Sequence, residues 1–235
     1  MTTSLHHYWH PLEAKFKANG ISTVAAGAKA YMKNQSEFFG LKAPERRTLQ
    51  QEFLKETGLP DPHQLSGIII NAWEQPQREF QYSAMEVLFK MRKQSTPQLI
   101  TLYEFMITHK SWWDTVDYLA PNLAGDWFTR YPEQRDEIIA KWMKSENIWL
   151  QRACLLFQLK YKDRTDAPLL FSLITKLKTH KEFFIRKAIG WSLREYAKVN
   201  PDAVRSFVEN TTLSGLSQRE AMKHIGRKHV DNTTF

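Results

Sequence analysis

Hydrophobic residues recur every three to four positions along most of the chain, which is the spacing of one face of an α-helix. Residues 182–199 show this pattern: Ile185, Ala188, Ile189, Ser192 and Leu193 form one narrow, mostly apolar stripe. No stretch shows the sustained two-residue alternation that is typical of half-buried strands. The pattern therefore predicts an all-α protein.

Proline marks the first turn of several predicted helices, where its missing N–H group is not needed. These prolines are Pro44, Pro97, Pro121, Pro132 and Pro201. Short connections separate the periodic segments, as in stacked helix pairs. The pattern predicts helices over 10–18, 21–33, 44–57, 62–74, 77–92, 97–109, 112–119, 121–130, 132–144, 148–162, 166–179, 182–199, 201–210 and 217–228.

A weak internal repeat runs through this array. Helix openings that begin with an aromatic residue recur at Phe80, Trp113, Trp149 and Phe183, with separations of 33, 36 and 34 residues. Such a period favours a superhelical solenoid of antiparallel helix pairs, with a concave face along which a duplex could lie. Because no Gly/Ser-rich linker divides the chain, we expect a single domain over residues 1–235.

The composition limits where the protein can work. The longest apolar runs, such as Gly67–Ala72, are too short to cross a bilayer, and Met1–Phe16 does not have the pattern of a secretory signal. Cys154 is the single cysteine, so an internal disulfide is excluded. It lies in an apolar run and is predicted to be buried and unreactive. We expect a cytoplasmic protein without a membrane partner.

Charge is unevenly distributed along the chain. The total is +8; residues 1–117 contain 13 Lys/Arg and 12 Asp/Glu, a net +1, and residues 118–235 contain the remaining 20 and 13, a net +7. This asymmetry suggests a polyanionic partner for the C-terminal half, although a solvated helix surface would show the same charge.

Trp191 lies well away from the apolar stripe of its helix. Its angular neighbours are Lys187, Arg194 and Lys198. An indole among three cations is typical of a surface that meets nucleic acid. The alternative is a tryptophan that packs on a neighbouring helix, and the sequence leaves both interpretations open.

Trp113 and Asp117 form an i,i+4 pair on one flank of the predicted helix 112–119, whereas Trp112, Val116 and Leu119 share the packing side. A carboxylate beside an aromatic face suits a reaction that develops positive charge. Taken alone, Asp117 is more simply a surface partner of a lysine or arginine.

Other cations extend the electrostatic picture. Arg219, Lys223 and Arg227 form a basic stripe at i, i+4 and i+8, and Arg46 and Arg47 follow a helix start where a phosphate could bind. Arg152 lies in a segment that is apolar nearly all round, so we expect it to be partly buried. It either grips a phosphate or holds a structural salt bridge.

Several other chemistries are not indicated. There is no phosphate-cradling Gly-rich loop, no GxSxG elbow and no CxxC pair. His6, His7 and His10 are close in sequence but lack nearby thiols, which predicts adventitious metal binding at most. We expect neither a metal nor another cofactor.

Five blocks resemble the AlkD family of bacterial alkylpurine DNA glycosylases: YMKN at 31–34, APERR at 43–47, SWWDTVD at 111–117, NIWLQRA at 147–153 and KEFFIRKAIGWSLREYAK at 181–198. The resemblance runs from about Tyr8 to Lys228. It implies a superhelix of HEAT-like repeats that excises N3- and N7-alkylated purines, such as 3-methyladenine and 7-methylguanine, from duplex DNA.

The resemblance also implies roles for single residues. Trp113 and Asp117 match the family's catalytic pair, Arg152 its active-site arginine and Trp191 a second aromatic wall, while Tyr31 matches a tyrosine that approaches the lesion strand. No lysine stands out as a Schiff-base nucleophile, so a monofunctional glycosylase is expected. We also expect a monomer. A non-catalytic nucleic-acid scaffold and a peptide-binding repeat protein are the alternatives.

Overall fold

The computed structural model describes residues 7–223 and residue 225, and the described chain is helical almost throughout. Its α-helices, numbered α1 to α14, are His10–Asn19, Ser22–Tyr31, Ala43–Thr57, Leu65–Glu74, Arg78–Met91, Leu99–Thr108, Trp113–Leu119, Gly125–Arg130, Pro132–Lys144, Ile148–Leu156, Ala167–Leu177, Phe183–Tyr196, Pro201–Glu209 and Gly215–Met222. Within the described residues, extended backbone pairs only in an isolated bridge between Glu37 and Gln77. The all-α prediction is confirmed.

Two of the five prolines predicted to lie in a first turn do not lie there. Pro97 precedes α6, which begins only at Leu99. Pro121 does not begin an α-helix but lies in a π-helical turn, Ala120–Ala124, and α8 begins only at Gly125. In this turn the Gly125 N–H donates to the carbonyl of Ala120, five residues earlier. A proline has no N–H for the usual bond four residues back, so a wider turn accommodates it.

Most other predicted bounds agree with the observed ones to within three residues, and two helices need separate mention. The predicted helix 148–162 ends as α-helix at Leu156, and the chain then forms turns and a short 3₁₀ helix at Lys162–Arg164. The last predicted helix, 217–228, is observed as Gly215–Met222. Its predicted continuation over 224 and 226–228 lies outside the described residues.

The chain divides into two compact units, Met1–Tyr118 and Leu119–Phe235, called unit 1 and unit 2 below. The single-domain arrangement stays a prediction. Unit 1 is built around large aromatic side chains that are almost fully buried, among them Trp9, Phe16, Phe53 and Phe80. The Trp9 indole N–H donates to the Ile68 carbonyl at 2.8 Å, which ties its polar atom into the core.

Unit 2 contains a second aromatic core. Trp127, Phe128, Trp142 and Phe157 are buried, with ring centroids 5.1–5.8 Å apart around Phe128. Cys154 is buried in this unit, as predicted, and burial raises the pKa of its thiol.

Gly190 allows α12 and α14 to approach each other. A Cβ added at this glycine would lie 2.4 Å from Cβ of Glu220 and 2.9 Å from the Ser217 carbonyl oxygen. These distances are shorter than van der Waals contact, so a larger residue could not occupy the position without moving one helix.

Hydrogen bonds in each unit connect positions about one repeat apart. In unit 1, Arg78 binds Asp114, 36 residues later. In unit 2, Tyr161 binds the Gly125 carbonyl across 36 residues, and Lys187 binds Glu220 across 33. These separations agree with the 33- to 36-residue period of the sequence. No helix among the described residues is both long enough and apolar enough to cross a membrane.

Candidate active site

The residues of the SWWDTVD block lie on α7, in unit 1. Val116 and Leu119 are fully buried, which confirms the predicted packing side of this helix. Trp113 begins α7, and Asp117 follows one turn later; both are half-buried. Residues at i and i+4 of a helix lie on the same flank, so the indole and the carboxylate are neighbours on one side of α7.

Tyr31 makes direct ring contact with Trp113. Tyr31 ends α2 and is 70% exposed. The ring centroids are 6.1 Å apart and the planes meet at 80°, an edge-to-face arrangement that is favourable for aromatic pairs. Two residues that the resemblance placed in the site, 82 positions apart in sequence, are therefore in contact.

A cavity of about 360 Å³ opens beside this aromatic pair, entirely within unit 1. Its aromatic and methionine lining consists of Tyr31, Met32, Tyr82, Met85, Trp113 and Tyr118. Its charged lining consists of Arg46, Arg47, Glu79, Glu86 and Asp114. Apolar walls with a few fixed charges are typical of ligand sites.

Asp114, the first aspartate of the block, is held by a buried arginine. The Arg78 guanidinium donates to the two carboxylate oxygens at 2.6 and 2.9 Å, and also to Thr115 Oγ1 at 3.1 Å and the Lys110 carbonyl at 2.8 Å. The side chains of Arg78 and Asp114 are 1% and 9% exposed. The pair is a buried structural element that joins α5 to α7.

Tyr82 adds a third group to this network. Its hydroxyl donates to Oδ2 of Asp114 at 2.7 Å. Burial, with the nearby Asp114 carboxylate, raises the pKa of Tyr82 well above its ordinary value, so the phenol stays protonated and remains a donor. Of the two aspartates in the block, Asp114 already has its acceptor oxygens occupied by Arg78 and Tyr82.

Glu79 holds the loop that follows α2. Its carboxylate accepts hydrogen bonds from the backbone N–H groups of Phe39, Gly40 and Leu41, at 3.1, 3.0 and 3.4 Å. Glu79 is 1% exposed. Gly40 has φ +92°, a backbone conformation that other residues rarely adopt. The carboxylate therefore fixes a tight turn that borders the cavity.

Arg46 and Arg47 have different environments, although both were predicted to contact phosphate. The Arg46 side chain is 5% exposed and binds Glu86 at 2.5 Å and Gln50 at 2.9 Å. It is thus committed within the protein and does not present its guanidinium to a phosphate. Arg47 is 61% exposed, with Nε 3.7 Å from Glu86, and its phosphate contact stays a prediction.

In unit 2, Arg152 lies on α10 and is more deeply buried than the partial burial that was predicted. One guanidinium nitrogen donates to the backbone carbonyl of Phe184, and the guanidinium carbon lies 5.8 Å from the centre of the Phe184 ring. The backbone carbonyl and the ring of Phe184, on α12, thus orient Arg152. The choice between a phosphate grip and a structural role stays open.

Trp191 is half-buried on α12, while Ile185, Ala188, Ile189 and Leu193 are fully buried, so the predicted stripe is the packing face.

Two of the three predicted cations around Trp191 share one carboxylate. Lys187 Nζ lies 3.0 Å from Glu220 of α14, and Arg194 also binds Glu220. Lys198 pairs with Glu195 at 2.7 Å. These ion pairs partly neutralise the positive charge of the three cations. Their contacts with phosphate stay predictions.

The predicted basic stripe near the C-terminus is described only in part. Arg219 and Lys223 are exposed, as a phosphate contact requires. Arg227 lies outside the described residues, and so does His6. The rings of His7 and His10 are 5.1 Å apart, but the described chain contains no group of three or more potential metal ligands.

A family model described as a DNA alkylation repair enzyme matches residues 12–225, which is most of the chain. The chain belongs to this family of DNA alkylation repair enzymes. The family resemblance predicted from the sequence blocks is confirmed.

Solved structures agree with membership of the DNA alkylation repair family. One, described as a predicted DNA alkylation repair enzyme from Enterococcus faecalis, is 34% identical over 89% of this chain and 98% of that one, with a TM-score of 0.82. The smu.31 protein and AlkD2 of Streptococcus mutans are 18% and 19% identical, each with a TM-score of 0.58. They cover 76% and 81% of this chain and 96% and 91% of their own, and show a shared fold. No curated protein matches the chain.

Sequence reasoning missed part of the site of this DNA alkylation repair enzyme. Glu79, Tyr82 and Asp114 line the cavity and Arg78 holds Asp114, but none of the four was singled out. Arg78 and Asp114 are 36 residues apart, close to the repeat period, and opposite charges at about this separation were a usable indication. The depth of burial of these side chains was not readable from one helix at a time.

Proposed function

We propose that this DNA alkylation repair enzyme is a glycosylase that hydrolyses the N-glycosidic bond of cationic N3- and N7-alkylpurines in duplex DNA. The observation that carries the proposal is the arrangement on α7: Asp117 lies one turn from Trp113, and the Trp113 ring contacts Tyr31. The reaction needs a carboxylate and an aromatic face at one point.

The chemistry of the substrate explains why so few groups suffice. Alkylation at N3 or N7 gives the purine a positive charge, so the base takes the electron pair of the breaking C1′–N bond and leaves neutral. The sugar becomes cationic as the bond breaks, and this developing charge needs stabilisation. An undamaged purine is neutral and a much poorer leaving group, so the site need not exclude it sterically.

Asp117 would stabilise the developing sugar cation and accept a proton from the water whose oxygen attacks C1′. The products are an abasic site and a free alkylated base. Trp113 would present its π face to the same cation. Asp114 is unsuited to this task because Arg78 and Tyr82 already occupy its oxygens.

Trp191 and Arg152 receive their roles from the family resemblance. Trp191 would supply a second aromatic wall, and Arg152, oriented by Phe184, would hold a backbone phosphate of the substrate. We also infer a monofunctional, cofactor-free enzyme, with its helices arranged as HEAT-like repeats. The hydrogen bonds one repeat apart support this arrangement within each unit. The expectation of a cytoplasmic monomer rests on the sequence alone.

The test is release of 7-methylguanine and 3-methyladenine from methylated duplex DNA by purified protein, followed by chromatography of the free bases. We expect wild type to release both and Asp117→Asn to be slower by a factor of about 100 or more, as for loss of one electrostatic stabiliser. The exposed Asp163→Asn is the charge-matched control and should retain wild-type rates. Equal rates for wild type and Asp117→Asn would contradict the proposal, and a borohydride-trapped adduct on a lysine would contradict its monofunctional part.

A further inference from the structure

A second open groove of about 360 Å³ lies between α3 and α5 of unit 1. Three cations line it, Arg47, Lys90 and Arg92, and Glu86 is the one carboxylate in its lining. Residues 1–117 have a net charge of only +1, so the sequence does not indicate this cluster of positive charge. The cations come from two helices and a short 3₁₀ turn, so they meet only in the folded protein.

Arg92 is held in a fixed orientation without a carboxylate. Its guanidinium carbon lies 3.9 Å from the centre of the Phe89 ring, and one guanidinium nitrogen donates to the Phe89 carbonyl at 2.6 Å. No described carboxylate lies within ion-pair distance of Arg92. Stacking on a ring leaves the in-plane N–H groups available, and their planar fork fits two oxygens of a phosphate.

The positive charges of the other two cations are also only weakly neutralised by carboxylates. Lys90 is exposed, and no ion pair involves it among the described residues. Arg47 is 61% exposed and only loosely associated with Glu86, at 3.7 Å, because Glu86 binds Arg46 more closely, at 2.5 Å. Tyr118 also lines the groove; burial raises the pKa of its phenol to about 12, so it adds no negative charge near neutral pH.

We propose that this groove binds the sugar–phosphate backbone of duplex DNA, with Arg92 and Lys90 as phosphate contacts. The inference rests on the proposed action on DNA and adds this groove to the binding surface on unit 1. Phosphate contacts from arginine and lysine position a protein on the duplex without reading its sequence. The groove would therefore bind undamaged DNA as well as alkylated DNA, in contrast to the chemistry assigned to Asp117.

The test measures binding to a short, undamaged, fluorescently labelled duplex by anisotropy over about 50 to 200 mM salt. Each lost phosphate contact should reduce the slope of log affinity against log salt by about 0.9, which makes the loss of affinity over this range about 3- to 4-fold smaller. We expect this for Arg92→Gln and for Lys90→Gln. Lys93→Gln is the control, because Lys93 is exposed and close in sequence but outside the groove.

Three results would overturn the inference: wild-type slopes in both groove variants, an equal change in Lys93→Gln, or competition by polyglutamate as effective as competition by unlabelled duplex. Thermal unfolding checks that the variants fold, and Lys90→Gln alone decides the matter if Arg92→Gln does not. Base release is not measured, so a protein that binds through the groove but releases no base would refute the glycosylase proposal and leave this inference standing.

Discussion

The guanidinium of Arg78 grips the carboxylate of Asp114 through two hydrogen bonds, at 2.6 and 2.9 Å, and almost no part of either side chain reaches solvent. The pair joins α5 to α7 directly beside Trp113. Buried ion pairs are costly to break, because the remaining charge is left without a partner. The position of α7 therefore depends on this contact.

Asp114→Asn should lower the free energy of unfolding by about 3 kcal/mol, the scale of an uncompensated buried charge. Urea unfolding followed by circular dichroism measures it. Asp126→Asn is the control: it removes a partly exposed i,i+4 pair with Arg130 and should cost less than about 0.5 kcal/mol. An unchanged urea midpoint for Asp114→Asn would show that the pair does not stabilise the fold.

Gly190→Ala should destabilise unit 2, because the new methyl group would overlap Glu220 and the Ser217 carbonyl. Overpacking of this kind costs about 1 to 3 kcal/mol. Gly27→Ala is the matched control, since nothing lies within 4 Å of its Cβ position inside α2. That change should stabilise the protein by up to about 1 kcal/mol through helix propensity. The two melting temperatures should move in opposite directions, and a shared direction would refute the packing argument.

Tyr31→Ala should slow base release several-fold, because the Trp113 indole loses the ring that contacts it. Tyr31→Phe keeps the edge-to-face contact and should stay close to wild type. Tyr31 is 70% exposed, so neither change should alter the urea midpoint appreciably. If both variants lose activity equally, the hydroxyl rather than the ring contact is what matters.

Glu220 should contribute to stability in a pH-dependent way. Hydrogen bonds from Lys187 and Arg194 hold the pKa of its carboxyl below the ordinary 4.5, so the folded state favours the carboxylate. That stabilisation is present above the ordinary value and disappears as pH falls through the lowered one. Wild type should thus exceed Glu220→Gln in stability at about pH 7, and the difference should shrink at about pH 3.

Glu209→Gln is the control for this experiment, because Glu209 is exposed at the end of α13 and forms none of the ion pairs identified among the described residues. Its stability difference from wild type should be small at both pH values. A difference for Glu220→Gln that does not depend on pH would mean that the carboxylate charge plays no part in holding α12 to α14.

The helices of this protein were predictable because the spacing of apolar residues in each one shows which side is buried. The stripe of α12 and the packing side of α7 were both read correctly from periodicity. Pro121 was misread because proline suits either the first turn of a helix or a widened turn within helical structure. The choice between them depends on how the backbone hydrogen bonds are completed, which composition does not record.

The site was less predictable, because burial of a charged residue depends on a partner that is distant in sequence. Arg46 and Arg47 are adjacent and look equivalent in the sequence. Arg46 is nevertheless buried against Glu86 of α5, while Arg47 is exposed. In the same way, Lys187 and Arg194 share a helix with Trp191, as predicted, while Glu220, which binds both cations, comes from another helix. The sequence of one helix predicts which of its faces is buried, but not which residues of other helices contact that face.

The carboxylate of Glu79 recognises the loop at 39–41 only through main-chain N–H groups, which every residue except proline possesses. The anchor itself therefore places no demand on the loop's side chains, although the Phe39 ring also packs on Phe16 and Phe80. Gly40 is the exception, since its φ of +92° excludes most replacements. Exchange of Leu41, which lines the cavity, could therefore reshape this rim while Glu79 keeps the loop in place.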